Sequence, residues 1–218
     1  PIQLLIDKKQ AQFILTGSSA RKLKSQSELN LLPGRVVSLK MDPFCISEYH
    51  AATIEELLIY GSLPGICTTP QLADRDEDLT SYVETYLEEE IRKEAATKRL
   101  PAFYRFLELA ALEAGQTVSL RGLSQEVGVT HVTIGGYFEI LQDSLIVERI
   151  DPLTENTTRK RLSHAPKFLF FDLGVRRAAA REGTLLGKTR LGELFEQFVG
   201  LELLRGLRAA ASRARLSY

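Results

Sequence analysis

A run of small and hydroxyl residues, Thr16-Gly17-Ser18-Ser19, closes a short apolar stretch, Phe13-Ile14-Leu15. Downstream, Arg35 follows Gly34 and directly precedes a second apolar stretch, Val36-Val37-Ser38-Leu39. Continuous apolar runs of this length suit strands buried on both faces of a parallel sheet. In open α/β sheets, ligands gather beyond the carboxyl ends of such strands. There the hydroxyls of Thr16, Ser18 or Ser19 can orient a water or touch a terminal phosphate. The planar fork of Arg35 matches phosphate oxygens and can reach a nucleotide held by a neighbouring subunit. Two plainer readings stand beside these: a serine N-cap in an ordinary strand-to-helix turn, and a surface arginine paired with a carboxylate.

A second constellation lies between residues 117 and 171. Ser119 can cap a helix over Leu120–Val127, Gly128 turns the chain, and Thr130 can cap a second helix over His131–Asp143. Residues 145–150 and the apolar run 168–171 flank a polar turn at 151–158 and read as a hairpin, completing the winged-helix pattern. On this reading His131, Thr133, Gly136 and Tyr137 occupy the outer face of the second helix, which enters a major groove when such units bind DNA. Arg159, Lys160 and Arg161, with His164 and Lys167 behind them, suit phosphate contacts. The helix face is short of Arg and Lys, however, and winged helices also dock on protein.

Glu193 and Glu196 suit the N-terminal end of the last helix, where the dipole favours carboxylates. One of them could instead hold a divalent metal in a nuclease-like site. The further carboxylates and the lysine that such a site needs are missing, so no metal is expected.

Composition narrows the field. The 218 residues are 44% hydrophobic, enough for a real core, and Lys plus Arg equal Asp plus Glu at 28 each. Global charge therefore argues for neither a nucleic-acid nor a membrane partner, and any such case rests on local patches. Cys45 and Cys67 form no CxxC pair and read as small apolar fillers in a reducing cytoplasm, the expected location. No apolar run approaches the roughly 20 residues that cross a bilayer, and the N-terminal residues do not read as a signal peptide.

The elements that must position these residues follow from periodicity. Residues 2–10 read as the end of a helix. A short helix is expected near 53–60, capped by Thr53 and stopped by Gly61-Ser62-Leu63-Pro64-Gly65. An amphipathic helix is expected over 78–97, burying Leu79, Tyr82 or Val83, Tyr86 or Leu87, and Ile91, with Glu88-Glu89-Glu90 toward water. Another is expected over 102–114 through Phe103, Phe106, Leu107 and Ala110. After Asp172-Leu173-Gly174 come a helix around 175–180, a glycine-containing linker at 183–188 and a long helix at 191–209. The last carries an apolar stripe through Leu191, Leu194 or Phe195, Phe198, Leu201 and Leu203 or Leu204, with no following strand to receive it. Starting at Pro1 and ending soon after that helix, the chain reads as part of a longer protein.

The ordered series FILTGSSARKLK, NLLPGRVVSLKMDPF, YGSLPG and SYVETYLEEEI resembles the bacterial and archaeal AAA-type P-loop ATPases that carry a C-terminal domain of unknown function. The resemblance continues through VSLRGLSQEVGVTHVTIGGYFEILQDSLIVERI and APKFLFFDLGVRRA to GELFEQFVGLELLR, nearly the whole chain. It implies an α/β fragment joined to mainly helical parts. Residues 1–45 would be the last strands of the ATPase core, 46–100 a helical connector and 101–172 a winged helix. Residues 173–218 would open a restriction-endonuclease-like domain. It further implies that Thr16 to Ser19 hold a sensor position, with Ser18 or Ser19 as the polar sensor. By the same resemblance Arg35 is an arginine finger or phosphate sensor, and Glu196 is the glutamate of the first nuclease-like helix. The parent would bind ATP with magnesium.

This sequence departs from the family in lacking G-x-x-x-x-G-K-[ST], and with it the cradle for the phosphates. No apolar run ending in paired carboxylates precedes residue 13, and the later nuclease-like strands are absent. The expected function is therefore that of the non-catalytic C-terminal part of an AAA-type ATP-binding protein, with no cofactor of its own. A winged-helix DNA-binding regulator is the alternative. A protein-docking module, including a homo-oligomer, is the third reading.

Overall fold

The structure, a computed structural model, describes residues 39–50, 52–87, 100–153 and 165–218, together with Leu5, Asp7, Lys8, Ala11, Phe13, Ile14, Thr16 and Val37. The first helices are α1 (Ile54–Tyr60), α2 (Pro64–Thr68) and α3 (Leu72–Ser81), which runs on into a π-helical turn at Tyr82–Leu87. Then come α4 (Leu100–Leu112), α5 (Leu120–Val127) and α6 (His131–Asp143). Strands β1 (Val147–Ile150) and β2 (Lys167–Phe170) precede α7 (Leu173–Ala179) and the 22-residue α8 (Lys188–Ala209).

Local chemistry sets several of these boundaries. The Thr53 side chain accepts the Glu56 N–H at 3.2 Å and starts α1. Ser119 accepts from the Gly122 N–H to start α5, and Thr130 from the Thr133 N–H to start α6. Between α5 and α6, Gly128 sits at φ 79° and ψ 33°, a left-handed conformation that glycine adopts without steric cost. The α3 segment starts earlier than its apolar spacing suggests, yet Leu79 and Val83 are buried as that spacing requires. The part of that expected helix at 88–97 lies outside the described residues, as does most of 2–10.

The two strands pair antiparallel, in register from Val147 with Phe170 to Ile150 with Lys167. Thr117 adds an antiparallel bridge to Lys167, just ahead of α5. Alternation along β2 divides the interior: Phe168 and Phe170 face one cluster and Leu169 faces another. The larger cluster centres on Phe103, Phe106, Tyr137, Phe138 and Phe168, with the Phe138 and Phe168 rings stacked at 3.9 Å. The smaller one joins Leu57, Leu58, Ile150, Leu169 and Leu173 to Leu194, Phe198 and Leu201 of α8. Both clusters cross the boundaries expected at 100/101 and 172/173.

Two expectations fail here. Ile14, Val37 and Leu39 are 91, 83 and 88% exposed and lie outside any strand, so the described positions of the two apolar runs are not interior strands. An apolar run becomes one only where neighbouring strands and covering helices are at hand, and among the described residues these positions have neither. The stripe of α8 also finds a receiver. Leu194, Phe198 and Leu201 seat on the second core, and the chain returns so that Ser217 bridges Asp151 in parallel.

Cys67 is buried while Cys45 is half-buried, and both are free thiols. Burial pushes the Cys67 thiol above its ordinary range, with the nearby Asp172 charge adding to it. A thiol-specific reagent at pH 8 should therefore label Cys45 in native protein and reach Cys67 only in denaturant. Equal native labelling of both by mass spectrometry would contradict this packing.

Candidate functional site

Two short sequences far apart in the chain, Tyr60-Gly61-Ser62 and Asp172-Leu173-Gly174, meet at the centre of the molecule. Asp172 is fully buried. Its Oδ1 accepts the Val175 N–H at 3.0 Å, capping α7, and its Oδ2 accepts the Ser62 N–H at 2.7 Å. Only glycine serves at position 61. Its φ is +72°, and a side-chain carbon there would lie 2.0 Å from Asp172 Oδ1. At Gly174 a side-chain carbon would lie 2.2 Å from the Tyr60 carbonyl oxygen, so α7 and the end of α1 touch backbone to backbone.

Three buried arginines extend this joint. Arg176 donates from Nε to the Ala111 carbonyl at 2.6 Å, at the end of α4, and pairs with Glu182. Arg177 donates from Nε to the Ile59 carbonyl at 2.8 Å and pairs with Asp76 of α3. From α8, Arg205 donates to the carbonyls of Phe44 at 2.9 Å and Phe171 at 3.0 Å, to the Ser62 hydroxyl and to Glu202. Free helix-end carbonyls need donors, and the planar forks of these side chains reach several at once. Burial pushes the Asp172 carboxyl up; the N–H groups of Ser62 and Val175, the Arg205 charge and the Gly174 N–H oppose that shift.

The joint has no room for chemistry. The void beside Leu57, Asp172, Phe198 and Arg205 measures about 10 Å³, at most one water. Its arrangement ties α1, α3, α4, α7 and α8 into one body. Sequence reasoning quoted these glycines and Asp172 but read them as a turn and a helix start. Nothing local signals that Arg176, Arg177 and Arg205 are buried.

The second candidate surface is the outer side of α5 and α6. His131 is exposed and Val132 is 71% exposed at the first turn of α6. The Thr133 side chain lies 2.9 Å from the Thr130 hydroxyl within the cap, and Gly136 is half-buried. Tyr137 corrects the sequence reading. It is 3% exposed, with its ring 4.8 Å from Phe103 and 5.3 Å from Phe106. It shares the i, i+3, i+4, i+7 stripe of Ile134, Phe138 and Leu141, which faces the core. Lys167 is likewise engaged within the chain: its Nζ is 3.0 Å from Glu196 Oε1 and 5.0 Å over the Tyr218 ring. Around the face, exposed Arg121 is offset by exposed Glu126 and Glu139.

Of the remaining candidates, Thr16 is exposed. Ser18, Ser19, Arg35, Arg159, Lys160, Arg161 and His164 lie outside the described residues. Glu196 is exposed on α8 and paired with Lys167. Among the described residues no group of three or more His, Cys, Asp or Glu side chains could hold a metal ion. No described helix is long and apolar enough to cross a membrane.

The tight joint, the capped helix pair and the hairpin together define a mixed, mostly helical unit, and the chain belongs to the family Domain of unknown function (DUF8612), whose model matches residues 51–186. That span holds Gly61, Asp172, Gly174, Arg176 and Arg177 of the joint and stops short of Arg205. The chain is also 26% identical to the uncharacterized protein Rv2008c of Mycobacterium tuberculosis over 215 residues, covering 92% of this chain and 47% of the relative. The uncharacterized protein Mb2031c of Mycobacterium bovis matches with the same identity and coverage. The chain thus spans about half the length of these curated relatives. No solved structure matches it.

Proposed function

We propose that this chain is the non-catalytic, winged-helix-bearing part of a longer AAA-type ATP-binding protein, and that it passes a change of nucleotide state to other parts of that protein as a rigid body. The observation that carries this reading is the joint around Asp172. It locks the α4–α6 unit and its hairpin to the helices on either side, so a displacement at one end is transmitted whole. The order α4, bridge at Thr117, α5, α6, β1, β2 supports a winged helix, with β1 and β2 as the base of the wing. ATP and magnesium belong to the longer protein in this reading. The residues present here supply neither a glycine-rich lysine loop nor, among those described, a carboxylate group suited to magnesium. By the family resemblance alone, and not through a sheet edge, Thr16, Ser18, Ser19 and Arg35 would sense the nucleotide rather than hold it.

A phosphate-release assay on this chain and on the full-length protein tests the proposal. Turnover is expected from the full-length protein alone. Turnover by this chain that is lost on Arg35→Ala would overturn it.

The second reading is a DNA-binding regulator, favoured by the exposure of His131 and Val132 at the start of α6 and of Arg121 on α5. It requires duplex binding that weakens as salt rises and loses up to about three counterions' worth of salt slope when Arg159, Lys160 and Arg161 become alanine. Fluorescence anisotropy with a labelled duplex separates the two. The rigid-coupler reading expects no salt-dependent binding.

A further inference from the structure

After α8 the chain doubles back where its residues favour going straight on. Ala209-Ala210-Ala211-Ser212-Arg213-Ala214-Arg215-Leu216 holds no glycine or proline, and all but Ser212 are among the strongest helix formers. Yet Ala211 stands at φ +48°, a left-handed conformation that glycine takes freely and alanine does not. Two local bonds favour the turn. The Ser212 N–H donates to the Leu207 carbonyl at 2.9 Å, and the Ser212 hydroxyl accepts the Ala214 N–H at 3.1 Å. Leu145 and Arg181 share the conformation of Ala211, at φ 60° and 53°. Both are followed at once by anchored residues: Ile146 and Val147 are buried, and Glu182 is held by Arg176 and Arg190. Residues 212–215, by contrast, are all exposed.

What holds this segment is its far end. Leu216 packs on the second core. The Tyr218 N–H donates to the Asp151 carbonyl at 3.3 Å and the Leu153 N–H to the Tyr218 carbonyl at 2.7 Å. With Ser217 bridged to Asp151, residues 216–218 thus lie parallel to the end of β1 as a short added strand. The Ile146 carbonyl accepts the Phe171 N–H, so the alternation of the ladder turns the main-chain groups of Asp151 away from β2, toward this edge. The Tyr218 hydroxyl donates to the Ala165 carbonyl, and its ring lies 5.0 Å from Lys167 Nζ. The segment covers a strand edge that would otherwise present unpaired groups.

We infer that residues 211–218 are a two-state strap. Docked, they close the edge at Asp151 and Leu153 and hold Tyr218 over Lys167. Released, Ala211 returns to the right-handed region, α8 continues through Leu216, and that edge and the upper side of Lys167 are uncovered for pairing with another extended segment. The balance between the states is fine. Release gives up one half-buried leucine, a short strand pairing and a cation–π contact. Continuation relieves left-handed Ala211 and gains i→i−4 hydrogen bonds along residues already suited to them.

Amide exchange and Cα chemical shifts of the isotope-labelled chain, read by NMR, test the inference. Ser212→Ala removes the local bond to Ala214 and improves the helix. It should speed exchange of the Leu153 amide about threefold, while the shifts of residues 211–215 move toward helical values. Ala211→Gly favours the turn and disfavours the helix, and should slow the same amide about fivefold. Leu216→Ser removes the apolar anchor and should abolish the protection of Leu153. All three positions are exposed or half-buried, and circular dichroism confirms that the variants fold. Leu153 exchange unchanged in any of the three would overturn the inference. So would faster exchange in Ser212→Ala with coil shifts at 211–215, which would mean an end that frays and has no second state.

Discussion

Replacing Gly174 with alanine should cost roughly 3 kcal/mol or more of folding stability. The added carbon would sit 2.2 Å from the Tyr60 carbonyl oxygen and 2.4 Å from its carbonyl carbon. Both are backbone atoms at the end of α1, held in place by the Leu57 and Leu58 core, so neither can rotate aside as a side chain would. Relief requires α7 to move away from α1. That movement breaks the Ser62–Asp172 hydrogen bond and the Arg177–Ile59 contact together. Gly135→Ala is the matched control. Its side-chain space on α6 is open, so alanine there should stabilise by up to about 1 kcal/mol through helix propensity. Urea unfolding of the two variants measures the contrast. Near-equal midpoints would mean that α1 and α7 are not in backbone contact.

How much of this was readable from sequence depended on how local the cause was. Thr53, Ser119 and Thr130 bond the chain three residues away, so their caps could be placed from residue type and spacing alone. The hairpin followed from two short apolar runs around a polar turn. The expectation that Tyr137 lies on the outer face overlooks its spacing from Ile134 and Leu141, which puts it on the core stripe. The runs at 13–15 and 36–39 show the opposite failure. Apolar composition specifies burial only when a receiving layer exists, and exposed Ile14 and Val37 have none among the described residues. The joint was hidden for a third reason. Asp172 and Ser62 are held by a contact spanning 110 positions, and no local pattern announces which glycine will meet which backbone.

The same distinction bears on function. Two of the residues read from sequence as site candidates, Lys167 and Glu196, are bound to each other. The buried polar residues that no motif singled out hold the helices together. Polar groups this deeply buried are retained where every donor finds an acceptor, and what this network supplies is rigidity. The proposed coupler would use that property, and the void of about 10 Å³ beside Asp172 holds at most one water.

Arg205→Ala is expected to cost about 3–5 kcal/mol, because it removes a buried cation and leaves its buried partners without it. Arg205 is 7% exposed and bridges three segments through Phe44, Ser62 and Phe171. Its loss strands the Phe44 and Phe171 carbonyls and leaves Glu202 without its cation. Arg205→Lys should recover only part of this, since one ammonium cannot span the directions that the guanidinium serves. The deficit should also depend on pH. Burial raises the folded-state Asp172 carboxyl above the ordinary carboxylate range, and Arg205 is among the groups that oppose that rise. Stability linked to a raised carboxyl is fully present below its unfolded pKa and declines as pH increases through the folded one. Removing Arg205 lifts the folded value further, so the decline lengthens and the variant loses more stability at neutral pH than near pH 4. In an Asp172→Asn background that extra pH dependence should vanish. Urea denaturation from pH 4 to pH 8 gives the comparison, and a deficit independent of pH would show that Arg205 acts on the carbonyls alone.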